Sequence, residues 1–255
     1  MQCHNLVIQK DKATGLMFTR PCGQCLACRI NDCRSWYVRS FFELKREDRP
    51  FHYFLTLTYS DEFLPEDNIC RKDDLKKFLN NLNTSFGLHL RYFATSDYGS
   101  KNGRAHYHAI ITSMKKITQK QVERIWKKGF ILIKECNSEN VKYTLRYTVK
   151  KKPFEKSDKT NFRLISKGWG NNIIELYTGQ EYFIIDGKPY GLPRYFQDKL
   201  QLPKKEVYKT KYFDKLYLHL DKTGHLEDLE SYENGLKDLE DFNNYYRSIR
   251  FKEVL

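Results

Sequence analysis

Two hydrophobic periods alternate along the chain, and the switches between them mark out its elements. From Phe51 to Thr58, Tyr53, Leu55 and Leu57 alternate with Phe54, Thr56 and Thr58, the period of a strand with two usable faces. Leu75, Phe78, Leu79, Leu82 and Phe86 then share one helical stripe; Asp73 and Asp74 sit at its start, where the macrodipole favours acid, and Gly87 ends it. Leu88–Asp97 reads as a second strand, Tyr98–Gly103 as a turn and Arg104–Thr112 as a third strand antiparallel to it. Thr118 and Gln121 make a capping box for a helix carrying Val122, Ile125 and Trp126, Gly129 stops it, and Phe130–Lys134 is a fourth strand. The order β-α-β-β-α-β predicts an α+β fold of the split βαβ kind, ferredoxin-like or RNA-recognition-like. Its sheet is expected to be antiparallel with helices on one face.

Around this core, Ala27–Arg46 reads as a helix with Trp36, Phe41 and Leu44 buried, and a further helix spans about Asn140 to Lys152 before Pro153. Later, ELYTG and EYFII suggest strands and KDLEDFNNYYRSIRF a terminal helix. The expected organisation is a Cys-rich arm and helix over 1–50, a core over 51–153 and an extension over 154–255, with no internal repeat.

Charge sharpens this division. The 255 residues carry 45 Lys and Arg against 32 Asp and Glu, a net charge of +13, and the whole excess falls within residues 1–153. The extension is neutral overall and contains an acidic stretch, 221–241. A polyanion such as nucleic acid is the economical partner for the basic part, a merely soluble basic surface the plainer one. No apolar run approaches the length of a membrane span, and the start MQCHNLVIQKDK lacks the pattern of a signal peptide. We therefore expect no membrane partner and a reducing cytoplasm, where seven Cys point to metal ligation or buried thiols rather than disulfides.

Chemistry concentrates in the third strand. Residues two apart share a sheet face, so His106 and His108 project together, and the short turn brings Asp97 opposite them. Two imidazoles and a carboxylate suit Mg²⁺ or Mn²⁺; paired surface histidines are the plainer alternative. On the helix after Asn140, Val141, Leu145 and Val149 form one stripe, and Tyr143, Tyr147, Lys150 and Lys151 another. A phenol near a cation and a metal-bound phosphate can act as a nucleophile. The spacing alone is weak, since Tyr208 and Tyr212 repeat it.

Near the N-terminus, Cys22, Cys25, Cys28 and Cys33, with Cys3 as an alternative fourth ligand, are candidates for a structural Zn²⁺. Thr56, Thr58, Arg91, Lys101 and Arg104 are candidates to line a DNA path, with Tyr59, Tyr92 or Tyr98 available for base stacking.

FLTLTY (54–59), SDYGSKNGRAHYHAII (96–111) and KYTLRYTVKK (142–151), taken in order, resemble the three motifs of the HUH endonucleases that initiate rolling-circle replication. Together with PCGQCLACR (21–29), the set resembles the replication initiators of gokushovirus-type microviruses, small single-stranded DNA phages. The resemblance covers roughly residues 20–152.

It implies that His106, His108 and Asp97, which stands where the family often has Glu, hold one divalent ion against the scissile phosphate. Tyr143 and Tyr147 would match the two-tyrosine form. One cuts the origin and becomes linked to the 5′ phosphate, leaving a 3′-OH primer, and the other later cuts and rejoins the displaced strand. Lys150 or Lys151 would stabilise charge, and the spacing does not choose between them. Viral origin DNA is the implied partner in a host cytoplasm, with a host DNA polymerase and, since no G-x4-G-K-[ST] motif is present, a separate host helicase. Two rival readings are a non-catalytic zinc-dependent nucleic-acid-binding protein and a transposase or plasmid relaxase on the same scaffold.

Overall fold

The structure, a computed structural model, describes residues 3, 6–10, 17–99, 103–149 and 161–202. The chain divides into two compact units, residues 33–196 and residues 1–32 with 197–255. A short hairpin of β1 (Leu6–Lys10) and β2 (Met17–Pro21) opens the chain and leads into α1 (Leu26–Glu43). The core then follows the expected order: β3 (Phe51–Tyr59), α2 (Lys72–Phe86), β4 (Arg91–Tyr98), β5 (Ala105–Ser113), α3 (Gln119–Ile125) and β6 (Gly129–Glu135). After it come α4 (Ser138–Val149), β7 (Arg163–Ile165), a 3-10 turn at Asn171–Ile174, the hairpin β8 (Tyr182–Ile185) and β9 (Lys188–Gly191), and α5 (Arg194–Lys199).

All pairings in the five-stranded sheet are antiparallel, in the order β6-β3-β5-β4-β7. Because β3 and β4 both run antiparallel to β5, the helix-linked pair β3 and β4 is parallel with a third strand between them, the split βαβ arrangement. Leu55, Leu57, Tyr59, Tyr107, Ala109 and Ile111 turn to one face and pack with Leu75, Phe78, Leu79 and Leu82 of α2 and Val122 of α3. The expected capping box at Thr118 and Gln121 is present.

The expectation of helices on one face alone is corrected. The opposite face is also covered: α4 packs on β4 and β5, and Trp36 of α1 stacks against Phe93 of β4. This second face carries polar as well as apolar residues, so the strand pattern did not announce a helix there.

Three further readings shift. The second strand begins at Arg91 rather than Leu88, because Gly87 and His89 both take positive φ and the side chain of Asn83 caps Leu90. In α1 the deeply buried residues are Tyr37, Val38, Phe42 and Glu43, while Trp36, Phe41 and Leu44 are half-buried. ELYTG is turn rather than strand, whereas EYFII supplies β8. The expected terminal helix, the acidic stretch 221–241 and the boundary at Pro153 lie outside the described residues. No described helix is long and apolar enough to cross a membrane.

The buried polar residues of α1 are explained by partners distant in sequence. Glu43, 0% exposed, accepts a two-pronged pair from Arg91 and the backbone N–H of Gly170 at 2.6 Å. Ser40 accepts from the Trp169 indole at 3.0 Å, and Arg39 donates to the Trp169 carbonyl at 3.0 Å. Gly170 sits at φ +74°, and a Cβ there would lie 2.3 Å from the Arg39 carbonyl oxygen, so both conformation and approach demand glycine.

Candidate active site

Register across three strands assembles the site. Thr58, His106 and Asp97 stand in one row across β3, β5 and β4, and Thr56, His108 and Thr95 form the next row two residues along. Strand alternation puts all six on the face opposite the α2 core.

Hydrogen bonds then fix the imidazoles. The Nδ1 of His106 lies 2.9 Å from the Arg104 carbonyl, to which it can only donate, leaving Nε2 with its lone pair. The Nδ1 of His108 is paired with Thr56 Oγ1 at 3.0 Å. The two Nε2 atoms face each other at 3.1 Å, and Asp97 Oδ2 lies 3.3 Å from His106 Nε2. Acceptors brought this close repel unless a cation sits among them. Two ligands about 2.1 Å from an octahedral ion stand about 3.0 Å apart, which the histidine pair matches. Burial, reinforced by the neighbouring His106, pushes His108 down to about 3, so it is neutral at physiological pH and its lone pair is available. Asp97, His106 and His108 thus form one group that could hold a metal ion.

Helix α4 lays its tyrosine face against this group. Val141 and Leu145 are buried beneath it, as their stripe predicts. Tyr143, 42% exposed, sits edge-on to His108 with ring centroids 5.1 Å apart and to Phe54 at 6.0 Å. A cleft of about 600 Å³ opens between helix and sheet, lined by Thr56, Thr58, both histidines, Tyr143, Leu132, Lys134, Glu139, Lys142 and Arg146. Lys142 is held by Glu139 at 3.0 Å and by Asp186 in the β8–β9 turn at 3.1 Å; Asp186 also accepts from Tyr37 at 2.8 Å. Tyr147 lies on the same helix, four residues on. Its side chain, and Lys150, Lys151 and Lys101 entirely, lie outside what the structure describes.

The other two candidates for the DNA path are engaged within the fold. Arg91 is bound to Glu43 and to the Lys167 carbonyl. Arg104 donates through Nε and Nη2 to the Tyr59 carbonyl and through Nη1 to Asp61, tying the start of β5 to the end of β3. The cations facing the cleft are instead Lys134, Lys142 and Arg146. The last two share the i, i+3, i+4, i+7 face of Glu139 and Tyr143, a signal that was present in the sequence.

The N-terminal unit carries a second group that could hold a metal: the thiols of Cys3, Cys22, Cys25 and Cys28, within 4.8 Å of one another. Cys33 is not among them; its thiol is buried and donates to the Leu145 carbonyl at 3.7 Å. Burial alone would raise the Cys22 thiol, but hydrogen bonds from the backbone N–H groups of Cys25 and Gln24 outweigh it and bring it to about 7. Cys70 and Cys136 are buried free thiols.

Residues 52–152 match the model of a family described as the ORF2-type replication-associated proteins. The chain is 29% identical over 216 residues to Replication-associated protein ORF2 of Spiroplasma virus 4, covering 71% of this chain and 67% of that one. Identity is 28% over 275 residues to Replication-associated protein VP4 of Bdellovibrio phage phiMH2K (93% and 83% covered). It is 24% over 235 residues to Replication-associated protein ORF4 of Chlamydia phage 1 (78% and 58% covered). The likeness to phage replication proteins announced by the motifs is thus borne out. A solved structure, the hypothetical protein ORF119 from Sulfolobus islandicus rod-shaped virus 1, aligns over 46% of this chain and 96% of its own. Its identity is 20% and its TM-score 0.32, too low to carry an argument.

Proposed function

We propose that the chain is a metal-dependent, site-specific DNA endonuclease that opens a circular phage replicative form at its origin and later rejoins the displaced strand. The observation that carries this reading is the seat of Tyr143, with its ring 5.1 Å from His108 above the convergent Asp97, His106 and His108. Phosphoryl transfer asks little of a protein beyond positioning and charge neutralisation, and this cleft offers both.

The Tyr143 phenol gives up its proton as its oxygen attacks phosphorus. The bond from phosphorus to the 3′ oxygen breaks, and that oxygen leaves as a hydroxyl after taking up a proton. The 5′ phosphate stays on the tyrosine as a phosphodiester, so the bond energy is kept for ligation. Tyr147, one helical turn away, is placed in sequence to perform the second transfer. A Mg²⁺ or Mn²⁺ held by Asp97, His106 and His108 would act as a Lewis acid on the phosphate. Lys134, Lys142 and Arg146 supply positive charge along the cleft, with Lys150 or Lys151 as further candidates. The free 3′-OH then serves a host polymerase, while a host helicase opens the duplex.

Single-stranded oligonucleotides spanning the viral origin, incubated with the protein and Mn²⁺, test this. We expect site-specific cleavage that is lost with chelator and in His106→Ala/His108→Ala. Binding without cleavage, unaffected by those substitutions, would instead support a non-catalytic nucleic-acid-binding protein.

A further inference from the structure

We propose that Cys3, Cys22, Cys25 and Cys28 form a tetrathiolate zinc site that clamps the open end of the β1–β2 hairpin to the start of α1. Sulfur geometry is the first argument. Four thiolates about 2.3 Å from a tetrahedral zinc stand about 3.8 Å from one another. Here Cys3 and Cys22 are 3.6 Å apart, Cys3 and Cys25 3.8 Å, and Cys22 and Cys28 3.9 Å. These are ligand-to-ligand distances, far too long for disulfides, and all four cysteines are free.

Backbone donors already surround the sulfurs as thiolates need. The N–H of Cys22 points to Cys3 Sγ at 3.3 Å, and those of Gln24 and Cys25 point to Cys22 Sγ at 3.4 and 3.3 Å. Such bonds offset the negative charge that four thiolates bring to one ion. An all-sulfur set selects zinc over Mg²⁺ or Mn²⁺, whose hard character asks for oxygen. The chain would thus hold two metals of opposite taste.

Position supplies the second argument. The hairpin pairing ends at Leu6 opposite Pro21; Cys3 lies just before the first strand and Cys22 just after the second. The Cys25 carbonyl accepts from Arg29 N at 3.0 Å as α1 begins, which puts Cys28 in its first turn. A two-stranded ribbon of five residues a side is marginal alone in water, and metal binding would supply its folding energy. Cys33 stands one helical turn beyond Cys28, too far along α1 to share the ion with Cys3.

Full-length protein, purified under reducing conditions without chelator, is analysed for bound metal and then alkylated before and after zinc removal, with each cysteine mapped by mass spectrometry. We expect one zinc per chain that survives exchange into Mg²⁺ buffer, and joint exposure of Cys3, Cys22, Cys25 and Cys28 on removal, with Cys33 unchanged. In Co²⁺-loaded protein, Cys33→Ser should keep the thiolate-to-cobalt absorption of the wild type, and Cys3→Ser should reduce it. The proposal is overturned if no zinc is bound, if iron with sulfide is found instead, or if Cys33 rather than Cys3 is unmasked with the others. No DNA enters the assay, so its failure leaves the cleavage reading standing.

Discussion

His106 and His108 present their Nε2 atoms to each other at 3.1 Å, each ring held from behind, by the Arg104 carbonyl and by Thr56 Oγ1. The second of these supports is a side chain and can be removed. Thr56→Val keeps the shape of the strand but leaves His108 free to turn. We expect metal affinity, read by Mn²⁺ titration of cleavage or by calorimetry, to fall about 10–100-fold. Thermal stability should change little, and an unchanged affinity would mean that Thr56 does not orient the ligand.

Glu43 and Arg91 form a buried pair that joins α1 to the sheet. Glu43→Ala strands the Arg91 guanidinium and leaves the N–H of Gly170 without its acceptor, at a cost of about 3–5 kcal/mol. Urea denaturation measures this. DNA affinity at a temperature where the variant remains folded should be unaltered, because Arg91 is held by the fold.

Asp74 in the first turn of α2 accepts from Lys128 and from the Tyr59 hydroxyl, both at 2.7 Å. Burial would raise its carboxyl, but these partners outweigh it and hold the group below its usual value of 3.8. A depressed folded-state value means stability that is present above about pH 4 and lost as pH falls through the folded value. Asp74→Asn should therefore be less stable than wild type at pH 7, and the gap should close on acidification. A gap independent of pH would contradict the assignment.

Phe130 on edge strand β6 is 70% exposed and pairs across the sheet with Thr58, in the row that holds His106. An aromatic ring there is placed for a base flanking the cut. Phe130→Ala should weaken single-stranded DNA binding by about 1–3 kcal/mol without changing its salt dependence. Lys134→Gln should lower the slope of log affinity against log salt by about 0.7. Fluorescence anisotropy over a salt series separates the two.

What the sequence revealed and what it hid follow from the reach of local patterns. Alternation along β3 and β5 and the helical spacing around Tyr143 placed the metal group and the tyrosine face, since both depend on neighbours two to four residues apart. The hidden parts depend on distant meetings. Arg91 and Arg104 look like free cations until Glu43, Asp61 and the Tyr59 carbonyl are seen beside them. The buried side of α1 was misjudged by one residue, because Ser40 and Glu43 look like surface residues until Trp169 and Gly170 cover them. Cys3 lies nineteen residues from Cys22, and only the hairpin brings the two thiols together.

The central claim is that Tyr143 forms a covalent bond to DNA above the Asp97, His106 and His108 group. Origin oligonucleotide trapped on the protein with Mn²⁺, digested and mapped by mass spectrometry, tests it most directly. The account predicts a nucleotide joined through its 5′ phosphate to Tyr143, absent from Tyr143→Phe, in which any remaining adduct sits on Tyr147. Cleavage products with no nucleotide on either tyrosine, at full wild-type rate in the Tyr143→Phe/Tyr147→Phe protein, would contradict it.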